Sequence, residues 1–270
     1  MLTNFTGAAT SVQTSLAATD GCFFQASTKL QPKIVFEDSD PSLIGLEGVR
    51  LDVIETSVSL ARNSSTPKRS LMIDQVIKFV EMYLSRTTTS SYPTEETHNL
   101  AIARCVIMDD RYYERNLNDR FSPQETLQRW IQWHEYLINN SYVTTQNTIV
   151  YTSADTKTEF QLRQFETRVF RPLRGRAYII TKLGYVRIGP ADAQPGDVVA
   201  VFSGDSTAFV LRKAITNDSM KTSPDASRQS KVKRDGTLWQ LVGDCYFHGF
   251  MDNEVAGSEW EDKRQIFWIV

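Results

Sequence analysis

Residues 244–248 (D-C-Y-F-H) carry the side chains of this sequence that are best suited to acid–base chemistry. Alternate side chains of a β-strand share a face. Asp244, Tyr246 and His248 therefore lie on one face of the predicted strand, and the two residues between them on the other. A tyrosine hydroxyl and an imidazole can both hydrogen-bond a ligand carbonyl or carboxylate, so Tyr246 and His248 are the candidate catalytic residues. A solvated strand face would show the same alternation, and it is the default alternative.

Aromatic and donor side chains elsewhere could complete a pocket around this pair. Trp and Phe rings offer apolar surface, and a Tyr or Arg near a strand end could bind a polar substituent. The candidate substrate-binding residues are Tyr185, Arg187, Trp130, Trp133, His134 and Phe202. Aromatic residues at helix spacing more often build a core, and a histidine on such a stripe also fits the edge of a core. The sequence leaves both interpretations open.

Several chemistries are disfavoured by missing motifs. His98, His134 and His248 are the only histidines, and no pair has the H-x-x-x-H spacing of a zinc site, so no metal is expected. Neither a phosphate-binding G-x-x-x-x-G-K-[ST] loop nor a dinucleotide G-x-G-x-x-G fingerprint occurs. Cys245 has no recognisable local base and is a poor nucleophile candidate. Any enzyme here is expected to work without a cofactor.

The composition is that of an ordinary globular protein. The 270 residues are 41% hydrophobic and 23% charged, with a net charge of −2, so non-specific binding to nucleic acid is disfavoured. No apolar run approaches the ~20 residues that span a bilayer, so membrane insertion is not expected. Three cysteines without a C-x-x-C motif predict reduced thiols and a cytoplasmic location. A homo-oligomer is neither indicated nor excluded.

The first two thirds of the chain contain a predicted arm, short strands and a helical region. Residues 1–20 predict a flexible arm, and residues 22–30 and 32–38 are β-rich. Residues 40–55 partly alternate as in a half-buried strand, and residues 61–70 form a polar linker. The helical middle, residues 68–170, contains four predicted helices. Thr94 is a candidate N-cap of the second helix, and Ser122 opens a capping box before the third. The apolar stripe of that third helix comprises Leu127, Trp130, Ile131, His134, Leu137 and Ile138.

From Arg176 the hydrophobic period changes to two. Residues 176–181, 185–189, 197–204, 208–213, 238–249 and 265–270 predict antiparallel strands, and residues 214–237 predict a mobile loop. Residues 189–197 (G-P-A-D-A-Q-P-G-D) predict a tight corner in which Asp192 and Asp197 accept backbone N–H bonds. The fold class expected is α+β: an antiparallel sheet or partial β-barrel packed against about four helices, in a single domain over residues 21–270.

The strand region resembles a known family. Its features are G-P-A-D-A-Q-P-G-D-V-V at 189–199, F-V-L-R at 209–212 and L-V-G-D-C-Y-F-H-G-F-M-D at 241–252. This ordered set resembles the region that follows the signalling domain of fungal heterokaryon-incompatibility (HET) proteins, and the resemblance extends over most of residues 20–257. The resemblance implies that this chain shares the fold of that region and comes from a fungus. The chain is expected to be a free-standing copy without the HET domain, and the resemblance brings neither catalytic residues nor cell-death signalling.

Three functional hypotheses follow. The favoured one is a cofactor-independent enzyme of fungal secondary metabolism that binds an apolar small molecule in an aromatic-lined pocket. Such an enzyme would promote an isomerisation or a pericyclic cyclisation of the intramolecular Diels–Alder type by holding the substrate in a reactive conformer. This hypothesis requires an enclosed cavity. The alternatives are a non-enzymatic protein-interaction or regulatory module, which predicts an exposed apolar patch, and a structural remnant.

Overall fold

The computed structural model describes residues 24–37, 40–59, 69–85, 97–110, 121–139, 142–145, 148–151, 154–173, 175–215 and 237–270. The predicted arm (1–20), Cys22, Thr94 and most of the predicted linker and loop lie outside these residues. The strands are β1 (Ile34–Phe36), β2 (Ile44–Ser59), β3 (Tyr142–Thr145), β4 (Thr148–Tyr151), β5 (Arg176–Thr181), β6 (Val186–Pro190), β7 (Val198–Phe202), β8 (Ala208–Lys213), β9 (Leu238–Phe247) and β10 (Arg264–Ile269). The helices are α1 (Arg69–Leu84), α2 (His98–Val106), α3 (Pro123–Ile138) and α4 (Thr156–Phe170).

The main sheet closes on itself through the long strand β2. Successive antiparallel pairings run β2–β5–β6–β9–β8–β7 and return from β7 to β2. Strand β2 can pair on both sides because it has 16 residues and two register shifts, one near Arg50 and one near Ile54. β10 adds an antiparallel pairing to β2 and a parallel one to β9. The expected α+β architecture, a curled antiparallel sheet packed against helices, is therefore confirmed.

Both faces of β7 and β8 are covered, which explains why β7 reads V-V-A-V-F without a polar residue. Val199 and Val201 pack into the main cluster, which joins the sheet to the helices. Ala200 and Phe202, on the other face, pack into a second cluster. That second cluster comprises Ala200, Phe202, Phe209, Leu211 and Phe267. β7 and β8 are thus a shared wall between two apolar interiors.

The corner at residues 189–197 is held by a charged side chain from β8. Asp197 accepts a hydrogen bond from the Gln194 backbone N–H at 2.8 Å, as predicted. The Arg212 guanidinium donates to both Asp197 carboxylate oxygens, at 2.9 and 2.8 Å, and these bonds raise the pKa of Arg212. Asp192 contributes its main-chain carbonyl, which accepts from Arg212 at 2.7 Å. Gly196, with φ of +94°, supplies the left-handed turn conformation.

The predicted helices form, and polar caps fix their starts. Ser122 accepts from the Glu125 N–H at 3.2 Å, with Pro123 at the first helical position, as the capping box predicts. α2 begins after Thr97, whose hydroxyl accepts from the Leu100 N–H. Asp155 caps α4 by accepting from two backbone N–H groups, and these bonds lower the pKa of its carboxyl. No helix among the described residues is long and apolar enough to cross a bilayer.

Two segments differ from the sequence-based expectation. Residues 24–30, predicted as β-rich, form turns instead of a strand. They are held by hydrogen bonds to two distant loops: the Ala26 and Ser27 N–H groups donate to the carbonyls of Ser206 and Asp205, and the Gln25 N–H donates to that of Met251. The hairpin of β3 and β4 was not predicted, because Thr-rich runs of four residues are too short to show a period.

Candidate functional site

The two candidate catalytic residues are in direct contact. Tyr246 lies at the end of β9 and His248 in the turn that follows, and the Tyr246 hydroxyl shares a 2.9 Å hydrogen bond with His248 Nδ1. Both side chains are buried, so the prediction of a solvated strand face is wrong for this pair. The strand ends at Phe247, and the Phe24 ring packs 5.5 Å from that of Tyr246. Asp244, by contrast, is ion-paired with Arg176 at 2.7 Å.

Tyr185 and Arg187 lie next to this pair, because both contact Phe247, the residue between Tyr246 and His248 in the chain. The Arg187 guanidinium is fully buried and lies 3.5 Å above the Phe247 ring, with Nη2 3.9 Å from Asp52 Oδ2. Tyr185 packs edge-on against Phe247 at 5.5 Å. Burial is the main cause of the raised pKa of Tyr185; the Asp52 carboxylate raises it further, while Arg187 opposes the shift. The structure therefore brings four predicted site residues to one end of the barrel.

Trp130, Trp133 and His134 lie in the helical layer instead. Trp130 stacks on His134 at 5.0 Å, and Trp133 packs 5.7 Å from Phe165 of α4. Burial lowers the pKa of His134, and the neighbouring Glu135 partly opposes that shift. The Trp130 ring also lies 6.5 Å from that of Phe165, so both tryptophans contact α4.

Phe202 belongs to the second cluster, where it contacts Phe209 at 5.3 Å and Phe267 at 5.8 Å. The eight predicted residues thus occupy three places: the barrel end, the helical layer and the second cluster.

A buried polar relay links α3, β4 and α4. The Trp133 indole N–H donates to the Tyr151 hydroxyl at 2.8 Å, and that hydroxyl donates to Glu166 Oε2 at 2.8 Å. Burial, followed by the Glu166 charge, raises the pKa of Tyr151 well above its usual range. All three side chains are buried. Sequence reasoning missed Tyr151 and Glu166, because a lone Glu on a helix carries no sign that it faces inward.

The two cysteines among the described residues are unreactive because they are buried. Cys105 and Cys245 are free and buried. Burial raises the pKa of Cys245 to about 12, with Arg187 acting in the opposite direction, so the thiol is neutral near pH 7. Within the described ranges, no group of three His, Cys, Asp or Glu side chains could hold a metal ion.

Asp205, in the turn between β7 and β8, gives a testable pH effect. Burial raises the pKa of its carboxyl to about 6, so folded Asp205 keeps its proton at a pH where the unfolded chain has lost it. Stability contributed by this group is therefore present below about pH 4 and lost as pH rises to about 6. We expect Asp205→Asn to raise the free energy of unfolding at pH 7 by ~1–3 kcal/mol, with no gain at pH 4.

The measurement is urea unfolding between pH 4 and pH 8, with Asp262→Asn as the control because Asp262 is exposed. The backbone hydrogen bonds between Asp205 and Ser27 are unchanged by the substitution, which isolates the carboxyl. An equal gain at pH 4 and pH 7 would contradict titration as the cause.

An open groove of about 540 Å³ runs along α3 and α4. Its lining residues are Gln124, Leu127, Gln128, Ile131, Gln132, Glu135 and Gln161. The stripe predicted for α3 is buried along one edge only: Trp130 and Leu137 are buried, whereas Ile131 and Ile138 are 43% and 53% exposed. The exposed edge of that stripe contributes Ile131 to the groove.

A closed antiparallel barrel carrying a helical layer with an open groove defines the class of this protein. The chain belongs to the Het-6 beta-barrel domain family, whose model matches residues 41–270. It is 22% identical over 268 residues to heterokaryon incompatibility protein 6, OR allele, of Neurospora crassa. That alignment covers 92% of this chain and 36% of the relative, so the chain spans about a third of the relative's length. No solved structure matches it.

The predicted relationship to HET proteins is thereby confirmed at the level of the family. The expectation that this chain stands alone, without a HET domain, stays a prediction, as does the assignment of its catalytic and substrate-binding residues.

Proposed function

We propose that this protein is a protein-recognition module in which the barrel is a scaffold and the groove along α3 and α4 is the docking face. The observation that carries the proposal is the apolar surface exposed in this groove. Ile131, which is 43% exposed, lines the groove with Leu127 among polar side chains, and exposed apolar clusters rimmed by polar groups mark protein-binding surfaces. The side chains proposed for a ligand pocket are instead packed against other rings, as Tyr246 is against Phe24.

The relationship to a longer protein supports the same function. The Neurospora crassa relative is named for heterokaryon incompatibility, and this chain spans 36% of it. A domain that occurs within a longer chain needs surfaces that contact other protein, whether in the same chain or in another. The groove supplies a surface of that kind.

Site-specific photocrosslinking tests the proposal. A benzoylphenylalanine at position 131 is expected to give discrete protein adducts in cells of the source organism. The control is the same group at Leu183, which is 58% exposed in the turn between β5 and β6. Adducts from position 131 that are absent from position 183 support the docking face. Identical adduct patterns from both positions, or none from 131, would overturn it.

The second candidate function is the cofactor-free small-molecule enzyme, promoting an isomerisation or an intramolecular Diels–Alder-type cyclisation of an apolar substrate. The observation that favours it is the Tyr246–His248 hydrogen bond. In the tautomer in which His248 Nδ1–H donates to the Tyr246 oxygen, the hydroxyl proton is left to bond a substrate carbonyl. Access would require Phe24 to move away from the Tyr246 ring.

Tyr246→Phe in the native gene tests this second candidate. If Tyr246 is catalytic, product formation should fall by about 100-fold, the effect of losing one donor to a developing negative charge. Isomerisation and cycloaddition conserve the molecular formula, so the precursor should accumulate at the same mass with a different chromatographic retention. Mass-spectrometric metabolite profiling makes the measurement, with Tyr136→Phe as the control. An unchanged profile would remove Tyr246 from any catalytic role.

A further inference from the structure

We infer that the groove along α3 and α4 binds an extended peptide segment of the partner, held by its main chain and carrying a Lys or Arg opposite Glu135. This inference rests on the proposed function and names the chemistry of the partner. It is drawn from three features of the groove: a ladder of glutamine amides, an apolar floor and an uncompensated negative charge at one end.

The ladder consists of Gln124, Gln128 and Gln132, which follow one another at four-residue spacing on α3. With a rise of 1.5 Å per residue, neighbouring amides lie about 6 Å apart along the helix. An extended peptide presents an N–H and C=O pair on one edge at every second residue, about 6.6–6.8 Å apart. The two repeats match closely enough for flexible Gln side chains to follow the peptide over these two steps.

Each glutamine amide offers both a donor and an acceptor, which is what a peptide edge requires. None of the hydrogen bonds between described residues engages the side-chain amides of the ladder, so they are available to a ligand. Gln161 adds a further amide from α4 on the opposite wall. A helical partner would not use this feature, because the main-chain groups of a helix are already paired with each other.

The floor of the groove is apolar between the amides. Leu127 and Ile131 lie four residues apart on α3, offset from the ladder by one residue. In an extended peptide, alternate side chains point to the same side, so apolar residues at every second position would reach this floor. The ladder extends over eight residue steps of α3, or about 12 Å, which corresponds to a bound core of about five peptide residues.

Electrostatics at the end of α3 favours a cation. Glu125 and Glu159 form ion pairs with Arg129 and Arg163 one turn further along their helices. Glu135 makes no ion pair with any of the described residues, and it is exposed. It lies in the last turn of α3, which has no basic residue, so its charge adds to the negative end of the helix dipole. A Lys or Arg of the bound segment would neutralise both the Glu135 carboxylate and the negative end of the helix dipole.

A phage-displayed library of random 12-residue peptides is the probe. Peptides selected on the full chain should share alternating apolar residues and a Lys or Arg, and synthetic copies provide the binding constants. We expect the double variant Gln128→Leu, Gln132→Leu to weaken binding by about tenfold, the effect of losing one or two hydrogen bonds. Gln164→Leu, an exposed glutamine of α4 outside the groove, is the matched control and should change nothing.

Two further measurements test the main-chain hydrogen bonds and the ion pair separately. N-methylation at alternate peptide residues should weaken binding about tenfold, whereas N-methylation of the intervening residues should have little effect. Glu135→Gln should weaken binding by about two- to fivefold and reduce its salt dependence, because a surface ion pair is lost.

The inference is overturned if no peptide depends on the glutamines, if a helix-stabilising staple strengthens binding, or if the crosslink from position 131 captures a second copy of this chain. If adducts from position 131 persist in any of those cases, the recognition function stands and only the extended-peptide inference fails. If the adducts are also missing, both fail.

Discussion

Replacing Arg187 with methionine is expected to lower the free energy of unfolding by about 3 kcal/mol, among the largest effects of any single substitution in this chain. The guanidinium is fully buried, lies 3.5 Å from the centre of the Phe247 ring and has Nη2 3.9 Å from Asp52 Oδ2. Removing it leaves the buried Asp52 carboxylate without its cationic neighbour. Asp52 retains hydrogen bonds from the Val53 and Leu183 N–H groups, which holds the loss near the lower end of the 3–5 kcal/mol range.

A double substitution isolates the charge. Arg187→Met combined with Asp52→Asn removes both charges, so we expect part of the lost stability to return relative to Arg187→Met alone. Arg187→Lys should destabilise the protein substantially although it keeps the charge, because an ammonium group has no flat face to stack on the Phe247 ring. Urea unfolding of the wild type, Arg187→Met, Asp52→Asn, the double variant and Arg187→Lys supplies the values. A double variant that loses more stability than the losses of Arg187→Met and Asp52→Asn added together would contradict a charge-pair role.

The same variant bears on the function of this end of the barrel. If Arg187 is structural, Arg187→Met should leave the photocrosslink from Ile131 unchanged at temperatures well below unfolding. If Arg187 instead binds a substrate, the metabolite profile should change in the way described for Tyr246→Phe. The two readouts are independent, since Arg187 lies on β6 and Ile131 on α3.

Local patterns were sufficient to predict most of the elements. The period of two fixed β5 at 176–181 and β8 at 208–213 with the bounds that the structure has. The capping box at Ser122 fixed the start of α3, because the Ser122 side chain satisfies a backbone N–H group that the first helical turn leaves unpaired. These features depend on contacts within a few residues, which a sequence displays directly.

Burial at the barrel end could not be predicted in the same way. The alternation of Asp244, Tyr246 and His248 shows that two faces differ, but it does not show what covers either face. Tyr246 is buried because Phe24, more than 200 residues away along the chain, packs over it. The pairing of β2 with β7 that closes the sheet likewise joins segments about 150 residues apart, and it needs register shifts that no local pattern displays.

The groove could be predicted from the sequence only in part. Its apolar residues were predicted to lie on one stripe with Trp130 and Leu137, and the sequence did not show which of them are buried. A helix that packs on one side buries a stripe at least about 100° wide, so the stripe of α3, about 120° wide, gave no sign that part of it is exposed. The structure leaves Ile131 and Ile138 exposed along one edge of that stripe. Which edge is covered depends on packing against other elements, and the sequence of α3 does not display that packing.

The second large effect is expected at the relay that joins the two walls of this groove. The Tyr151→Phe substitution removes a single hydroxyl. That hydroxyl accepts from the buried Trp133 N–H and donates to the buried Glu166 carboxylate. We expect the free energy of unfolding to fall by about 2–4 kcal/mol, because buried polar groups that lose a partner keep their desolvation cost. Tyr136→Phe is the matched control: its ring packs edge-on against Tyr151 at 5.9 Å, and it should change stability by less than about 0.5 kcal/mol.

The relay also connects stability with docking, since Trp133 lies on α3, Glu166 on α4 and Tyr151 on β4 between them. Losing the shared hydroxyl should loosen α4 relative to α3 before the barrel is affected. Hydrogen exchange should then accelerate in the amides of α4 more than in those of β7 and β8, and the crosslink from position 131 should weaken. Uniform acceleration across helices and barrel would contradict this, because it would mean that the relay supports the whole fold equally instead of setting the spacing of the groove walls.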